Sequence, residues 1–333
     1  IDGMKTIDVT RRPLAVQLLI ALPVCALGLA RHCLAPHVLE TSGISSMPWA
    51  SAISLWADVH PVFNVVCVTS GLFFTAVLLA RIMLQYSVVR SRNYVPFIIY
   101  MYMATFIMPS QTLVGVLCGL ITTLACLQAA RSFRKGYRFD AVFRCALLFG
   151  LLPLLYAPMI IAAVSVPVLL FLIRRRWREL VCAAIGLLLP VTIVSYIYWC
   201  RGYGIGYMLW YIWQEAFGYD YSVMIRDIPV TVSIVILVVA AFLAVSMVLF
   251  YKSRTGMRAR PYGIMLFFCS MLVLTSPMLF MGGSNAISFS ILSAPATMVV
   301  SYLISCGHNR LSLATYYMIA LGIIVSDAVL LAL

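Results

Sequence analysis

The sequence predicts an all-α, polytopic transmembrane helix bundle of about eleven spans, with nine as the lower bound. Of its 333 residues, 64% are hydrophobic and only 10% are charged, and the mean hydropathy is +1.04. A soluble domain needs roughly 25% charged residues to cover its surface. The surface of this chain must therefore face lipid, and we expect residues 1–333 to form a single transmembrane domain.

Apolar runs near the length that crosses the hydrocarbon core, about 20 residues, give the predicted helices. They cover 13–30, 61–82, 94–108, 111–130, 141–157, 158–173, 180–199, 228–250, 263–281, 287–305 and 312–332. Two pairs are predicted to turn sharply, one at Met108-Pro109-Ser110 and one near Tyr156-Ala157-Pro158. The runs 94–108 and 141–157 are short, and they set the lower bound on the number of spans.

The basic residues predict a cytoplasmic N-terminus. With that orientation, all but Arg31, Arg201 and Arg226 of the 23 Lys and Arg residues lie in inner segments. Loops rich in Lys and Arg stay on the cytoplasmic side. We expect the run 13–30 to be the first span, because it is longer than a signal-peptide core and lacks a small-x-small cleavage site. The expected location is the bacterial inner membrane.

Nucleic acid is not an expected partner, despite the net charge of +13. Binding nucleic acid requires a basic face on a folded domain, and here the basic residues form short clusters between apolar runs. The ten cysteines show no C-x-x-C pair and no zinc-like spacing with histidine. No metal-binding residues are predicted from them.

The two longer outer loops, 31–60 and 200–227, are predicted to contain short helices that lie in the membrane interface. In the first loop, Trp49, Ile53 and Trp56 recur at helical spacing. The second loop is rich in aromatic residues, namely Tyr203, Tyr207, Trp210, Tyr211, Trp213, Phe217 and Tyr219. A simple aromatic belt at the level of the lipid headgroups accounts for them equally well.

The candidate site residues come mainly from these two loops. The candidate catalytic residues are Asp58, Glu40 and His60, because a carboxylate at the membrane surface can act as a general base or metal ligand toward a lipid-borne substrate. The candidate substrate-binding residues are Arg201, Glu215, Asp220, Arg226 and Asn285. Either arginine can bind a phosphate, while Asn285 belongs to the outer turn GGSN. The alternative is that outer loops are mildly acidic without a catalytic role.

Residues 63 to 200, which include NYVPFIIYMYMATFIMPSQTLVG, resemble an uncharacterised family of polytopic inner-membrane proteins from Bacteroidetes-type bacteria; the rest resembles it loosely. The run FGLLPLLYAPMIIAAVSVPVLLFLIRRRW, the late span SFSILSAPATMVVSYLIS and the acidic first outer loop resemble the GT-C glycosyltransferases. That resemblance implies sugar transfer from a polyprenyl-phosphate donor at the periplasmic face, with Asp58, or else Glu40, as the acid of the first loop. The chain departs from those enzymes in lacking an Asp-x-Asp or Glu-x-Asp pair and a large periplasmic domain.

Three functions stay open at this point. The first is a GT-C-like glycosyltransferase that uses a lipid-linked sugar as its donor. Whether it also needs a divalent metal ion as a cofactor stays open. The second is a lipid or solute transporter, which would show internal repeats and broken helices with polar residues at mid-depth, and neither is evident in the sequence. The third is a non-catalytic subunit of an envelope secretion or export complex. The expected partners are membrane lipids, a polyprenyl-phosphate lipid and, for the third function, other envelope subunits.

Overall fold

The computed structural model describes residues 47–86, 94–107, 113–133, 139–172, 177–218, 259–276, 278 and 285–306. Every regular element within these ranges is helical. The helices are α1 (Pro48–Val59), α2 (Pro61–Gln85), α3 (Val95–Ile107), α4 (Leu113–Ser132), α5 (Phe139–Leu155), α6 (Ile160–Leu172), α7 (Trp177–Cys200), α8 (Tyr207–Phe217), α9 (Ala259–Thr275) and α10 (Asn285–Cys306). A short 3-10 turn, Ala157–Met159, joins α5 to α6.

The helices agree well with the predicted apolar runs. Helices α2 to α7 and α10 begin and end within three residues of the predicted bounds, and α9 ends earlier than predicted, at Thr275. The predicted turn near Tyr156 is confirmed by the 3-10 turn, whereas the one at Met108 lies outside the described residues. The predicted spans 13–30, 228–250 and 312–332 also lie outside them.

Three helices, α2, α4 and α7, are long and apolar enough to cross a membrane. They contain 25, 20 and 24 residues, which corresponds to about 30 to 38 Å at 1.5 Å per residue, against a hydrocarbon core about 30 Å thick. Their length and composition are those of a membrane protein. Helices α3 and α6 have only 13 residues each, about 20 Å, so neither described helix is long enough to cross alone.

Helix α4 is the central element of the described bundle. It packs against α1, α2, α5 and α10, and most of its length is buried. Helices α2 and α7 are peripheral and expose large apolar side chains, among them Phe73, Phe74, Ile185 and Leu188. A bundle that is apolar outside as well as inside fits a lipid environment, since lipid does not penalise exposed hydrocarbon.

Glycines allow α5 and α7 to pack very closely. A Cβ on Gly150 would overlap the backbone carbonyl of Leu187, and a Cβ on Gly186 would lie 2.9 Å from the carbonyl oxygen of Phe143. Ala146 and Ala183 are fully buried on the same two helices. Such small residues are typical of packed membrane helices, where close backbone contact replaces the hydrophobic driving force.

Candidate functional site

The directions of the helices determine which residues share one end of the bundle. Helices α4 and α5 pack together and follow each other after a short connection, so they are antiparallel, and Leu113 and Leu155 lie at the same end. Helices α5 and α7 are parallel: the Cys182 thiol lies 3.7 Å from the carbonyl oxygen of Phe139, and the contact between Gly150 and Leu187 lies further along both helices. Cys200, the last residue of α7, therefore also lies at this end, which we call the α8 end.

Asp58 and His60 lie at the α8 end, where α1 meets α2. Helix α1 is held there because Ala57 is buried in a cluster with Leu113 and Val116 of α4. Asp58 and His60 are both exposed. The backbone carbonyl of His60 accepts a hydrogen bond from the Asn64 N–H at 2.9 Å, which starts α2.

The surroundings of Asp58 are apolar and open. The rings of His60 and Phe63 both contact Trp56 edge to face, with centroids 5.5 and 5.3 Å away. Within the described residues, no cation lies within ion-pair distance of Asp58. The Asp58 side chain is therefore accessible from outside the bundle.

Arg201 lies at the same end, in the turn that ends α7. The Tyr203 N–H bonds the Tyr198 carbonyl at 3.1 Å and the Gly202 N–H bonds the Trp199 carbonyl at 2.9 Å. Gly202 has a φ of 92°. This is a Schellman motif, which uses glycine in the left-handed region to end a helix and redirect the chain. The turn sends α8 across the end of the bundle and leaves the Arg201 side chain exposed.

Glu215 lies on α8 and is half-buried. The helix is fixed by one buried face, formed by Met208, Ile212 and Ala216, and it packs against α7 and the 3-10 turn after α5. Its opposite face exposes Leu209, Trp210, Trp213 and Phe217. Helices α1 and α8 thus both lie at the α8 end and both expose tryptophan; their location in the membrane interface stays a prediction.

The other predicted site residues are only partly covered by the structure. Asn285 is the first residue of α10, and the nearby Ser288 bonds Tyr156 beside the 3-10 turn, so Asn285 also belongs to the α8 end. Glu40, Asp220 and Arg226 lie outside the described residues. The structure therefore places Asp58, His60, Arg201 and Glu215 at one end of the bundle, and their roles in catalysis and substrate binding stay predictions.

A second polar group lies at mid-height, where no polar site is evident from the sequence. The Tyr100 hydroxyl of α3 is within hydrogen-bond reach of Thr75 on α2 and Ser293 on α10. Thr75 donates to the Gly71 carbonyl at 2.7 Å, and Ser293 donates to the Ser290 carbonyl at 2.6 Å. Because those two protons are already used, both oxygens can only accept, and the single Tyr100 proton can satisfy one of them at a time.

The hydroxyl cluster continues along α10 toward the α8 end. Ser290 donates to the Gly115 carbonyl of α4 at 2.8 Å. Nearer the end, the Tyr156 and Ser288 hydroxyls lie 3.0 Å apart, and Ser288 also donates to the Met278 carbonyl at 3.4 Å. All of these side chains are buried. Hydrogen bonds of this kind connect helices within a membrane, each contributing about 0.6 kcal/mol.

No known protein decides the assignment. Comparisons with protein-family models, curated proteins and solved structures give no match. The resemblance to the GT-C glycosyltransferases therefore stays a prediction. The described residues also contain no group of three or more His, Cys, Asp or Glu side chains placed to hold a metal ion.

One signal in the sequence could have revealed the hydroxyl cluster. Ser290, Ser293, Thr297 and Ser301 are spaced by three and four residues, so they share one face of a helix. In the structure all four are buried. No signal indicated Asn64, whose side-chain oxygen is buried close to His60 without a hydrogen-bond partner among the described residues.

Proposed function

We propose that this chain is a multi-pass inner-membrane glycosyltransferase that uses a polyprenyl-phosphate-linked sugar. In this proposal about eleven helices cross the membrane, the N-terminus is cytoplasmic, and the α8 end faces the periplasm. The observation that carries the proposal is the location of Asp58, His60, Arg201 and Glu215 at one end of the bundle, on or beside two helices that expose tryptophan.

The location fits a substrate whose carrier stays in the membrane. Trp49 and Trp56 on α1, and Trp210 and Trp213 on α8, are each at least 41% exposed. Tryptophan is favoured at the level of the lipid headgroups, where a sugar attached through phosphate to a lipid would lie. Asp58 and Arg201 are both exposed and lie at the same end of the bundle, so in this proposal a lipid-linked sugar would reach them without leaving the membrane.

The residues supply the two functions that such a transfer requires. Asp58 would accept the proton of an acceptor hydroxyl while the oxygen of that hydroxyl attacks the anomeric carbon of the sugar. The bond between that carbon and the phosphate oxygen breaks, and the polyprenyl phosphate leaves as an anion. Arg201 would bind this phosphate through charge-assisted hydrogen bonds. Glu215 would bind hydroxyl groups of the sugar.

The test is Asp58→Asn, which keeps the shape of the side chain and removes its basicity. We expect it to abolish sugar transfer while expression and folding stay unchanged, because Asp58 is exposed and is in no ion pair among the described residues. The measurement is transfer of labelled sugar from a short-chain polyprenyl-phosphate donor in membrane vesicles, together with mass spectrometry of the envelope glycans.

The matched control is Asp140→Asn. Asp140 is also an exposed acidic residue, but it lies in the first turn of α5, at the end of the bundle away from the α8 end. It pairs with Arg144 at 2.9 Å. We expect this variant to retain full transfer. Normal transfer and normal glycans in Asp58→Asn would reject the assignment.

Orientation is tested separately with cysteines introduced at Arg178 and Ile205, in a chain whose native cysteines are replaced by serine. Both positions are exposed and lie near opposite ends of α7. A membrane-impermeant maleimide added to spheroplasts should label position 205 directly and position 178 only after permeabilisation. Labelling of position 178 from outside would contradict the proposed orientation.

A second candidate function, lipid or solute translocation, is favoured by the hydroxyl cluster and by prolines inside helices. Pro153, Pro167, Pro190 and Pro295 lie within α5, α6, α7 and α10. Each removes a backbone hydrogen bond, and broken helices with polar groups at mid-depth are typical of transporters. Dithionite protection of a fluorescent polyprenyl-phosphate analogue in proteoliposomes tests it. Translocation that is reduced in Tyr100→Phe would favour this function.

A further inference from the structure

Four tyrosine rings form a continuous stack where α7 turns into α8. The Tyr207 ring lies within 6 Å of three others, with centroid distances of 4.8 Å to Tyr203, 5.9 Å to Tyr198 and 6.0 Å to Tyr211. These three pairs are inclined by only 22° to 33°. Tyr203 also contacts Tyr198, at 5.5 Å. We call Tyr198, Tyr203, Tyr207 and Tyr211 the tyrosine stack.

Two local features of the sequence produce this stack. Tyr207 and Tyr211 are four residues apart on α8, so they lie on one stripe of the helix. The Schellman motif at Gly202 brings Tyr203 back onto Tyr198, since that motif favours contact between those two positions. The result is a stack that joins the end of α7 to the start of α8.

Charged side chains lie at both ends of the tyrosine stack. Glu215 is four residues beyond Tyr211 and continues the same stripe of α8. Arg201 lies at the other end, close enough to Tyr198 to interact with it electrostatically. From Tyr207 to Glu215 the stripe is about 12 Å long at 1.5 Å per residue.

The stack is open at Tyr203, on the side of the glycine-rich turn, whereas Tyr198, Tyr207 and Tyr211 are half-buried. Tyr203 is 47% exposed. A Cβ placed on Gly202, Gly204 or Gly206 would meet no atom within 4 Å. The stripe is distinct from the other two faces of α8, because Met208 and Ile212 are buried against the bundle while Leu209 and Trp213 form the exposed apolar face.

We propose that the tyrosine stack is a saccharide-binding surface, which holds the sugar portion of the substrate between Arg201 and Glu215. The C–H groups on one face of a pyranose ring pack against an aromatic ring, and its hydroxyl groups bind to charged and phenolic groups at the rim. The inference rests on the proposed function, since it names the part of the same site that would hold the sugar.

The chemistry of the stripe favours a saccharide over an acyl chain. The Tyr203 ring and Arg201 are exposed and carry polar groups, so a hydrocarbon chain lying over them would remove their water and offer no hydrogen bond in return. A saccharide offers both an apolar face and hydroxyl groups along its whole length, and it therefore matches the alternation of rings and polar atoms.

The experiment measures binding of free oligosaccharides to the full chain in lipid nanodiscs, with no donor lipid present. The probes are maltohexaose, chitohexaose and mannohexaose, and the readout is saturation-transfer NMR with titration of the signal. We expect at least one probe to bind, and Tyr207→Ala to weaken its binding about tenfold, because Tyr207 is the ring that contacts the other three. Tyr207→Phe, which keeps the ring, should bind within about threefold of the unmodified chain.

The matched control is Tyr196→Ala. Tyr196 is 63% exposed and stacks on Trp199 at 5.8 Å, outside the tyrosine stack, so its removal should leave binding unchanged. The inference would be overturned if no probe binds, or if a probe binds Tyr207→Ala as tightly as the unmodified chain. It would also be overturned if phosphocholine, and none of the oligosaccharides, gives a saturable signal. The binding assay contains neither donor nor acceptor, so its result does not depend on sugar transfer. Loss of transfer in Asp58→Asn with intact oligosaccharide binding would therefore separate the proposed function from the proposed binding surface.

Discussion

Replacing Gly150 by alanine tests whether close contact between α5 and α7 holds the bundle together. The added methyl group would overlap the backbone carbonyl of Leu187. A side chain can rotate away from such an overlap, but a helix backbone cannot, so the two helices must separate. Gly186→Ala is a milder version, because its Cβ would lie 2.9 Å from the Phe143 carbonyl oxygen and 3.2 Å from the Ala146 Cβ.

The expected magnitude follows from two opposing effects. Forcing an extra methyl group into a packed interior costs about 1 to 3 kcal/mol, and contact with backbone at Gly150 places this variant at the upper end. Alanine favours a helix over glycine by about 0.5 to 1 kcal/mol. We therefore expect a net loss of about 2 kcal/mol for Gly150→Ala and about 1 kcal/mol for Gly186→Ala.

Gly204→Ala is the control for the substitution itself. A Cβ at Gly204 meets nothing within 4 Å, and its φ is not in the left-handed region. We expect a change within about 0.5 kcal/mol, as for a surface substitution. The double variant of Gly150 and Gly186 should lose less than the sum of the single losses, because both methyl groups act on one helix contact.

The assay is thermal unfolding of the full chain in detergent, followed by fluorescence-detected size exclusion after heating. For a chain of 333 residues, a loss of about 2 kcal/mol corresponds to a decrease in apparent Tm of roughly 3 °C, with a smaller decrease for Gly186→Ala and none for Gly204→Ala. An apparent Tm for Gly150→Ala equal to that of Gly204→Ala would show that α5 and α7 are not in backbone contact.

Three further predictions concern single interactions. Tyr156→Phe removes the 3.0 Å contact with Ser288 and should lower the free energy of unfolding by about 0.6 kcal/mol, measured by apparent Tm against the exposed control Tyr196→Phe. Gly202→Ala places a side chain at a φ of 92° and should cost about 1 kcal/mol, visible as faster proteolysis of the α7–α8 turn than in Gly204→Ala. Arg144→Ala removes an exposed i,i+4 pair and should change the free energy of unfolding by less than about 0.5 kcal/mol.

Helices could be predicted from this sequence because apolar runs alone define them. The run 61–82, for instance, became α2 over Pro61–Gln85, with Pro61 at its first position. The spacing of Trp49, Ile53 and Trp56 likewise predicted α1. In the structure the two tryptophans are exposed, while Ala50 and Ala57 are buried. A small residue lets α1 approach the bundle closely, and periodicity of large apolar residues does not reveal that.

The polar contacts at mid-height could not be predicted because they join helices that are distant in the sequence. Spacing along α10 reveals a stripe of hydroxyls, but it does not reveal that Ser293 faces Tyr100 of α3, nearly two hundred residues earlier. The tyrosine stack was hidden for a different reason. Its four residues lie within 14 positions of one another in the sequence. Only the turn at Gly202 shows that Tyr203 folds back onto Tyr198 and does not continue outward.

The two polar regions differ in the chemistry that they can perform, and this difference favours a reaction at the α8 end. In the hydroxyl cluster, Thr75, Ser290 and Ser293 donate their protons to backbone carbonyls, so the cluster is neutral and its hydrogen bonds are largely satisfied within the bundle. Glu179, the one buried charged side chain among the described residues, lies in the first turn of α7, far from the α8 end. The exposed charged side chains of Asp58 and Arg201 lie instead at the α8 end, which we propose faces the periplasm.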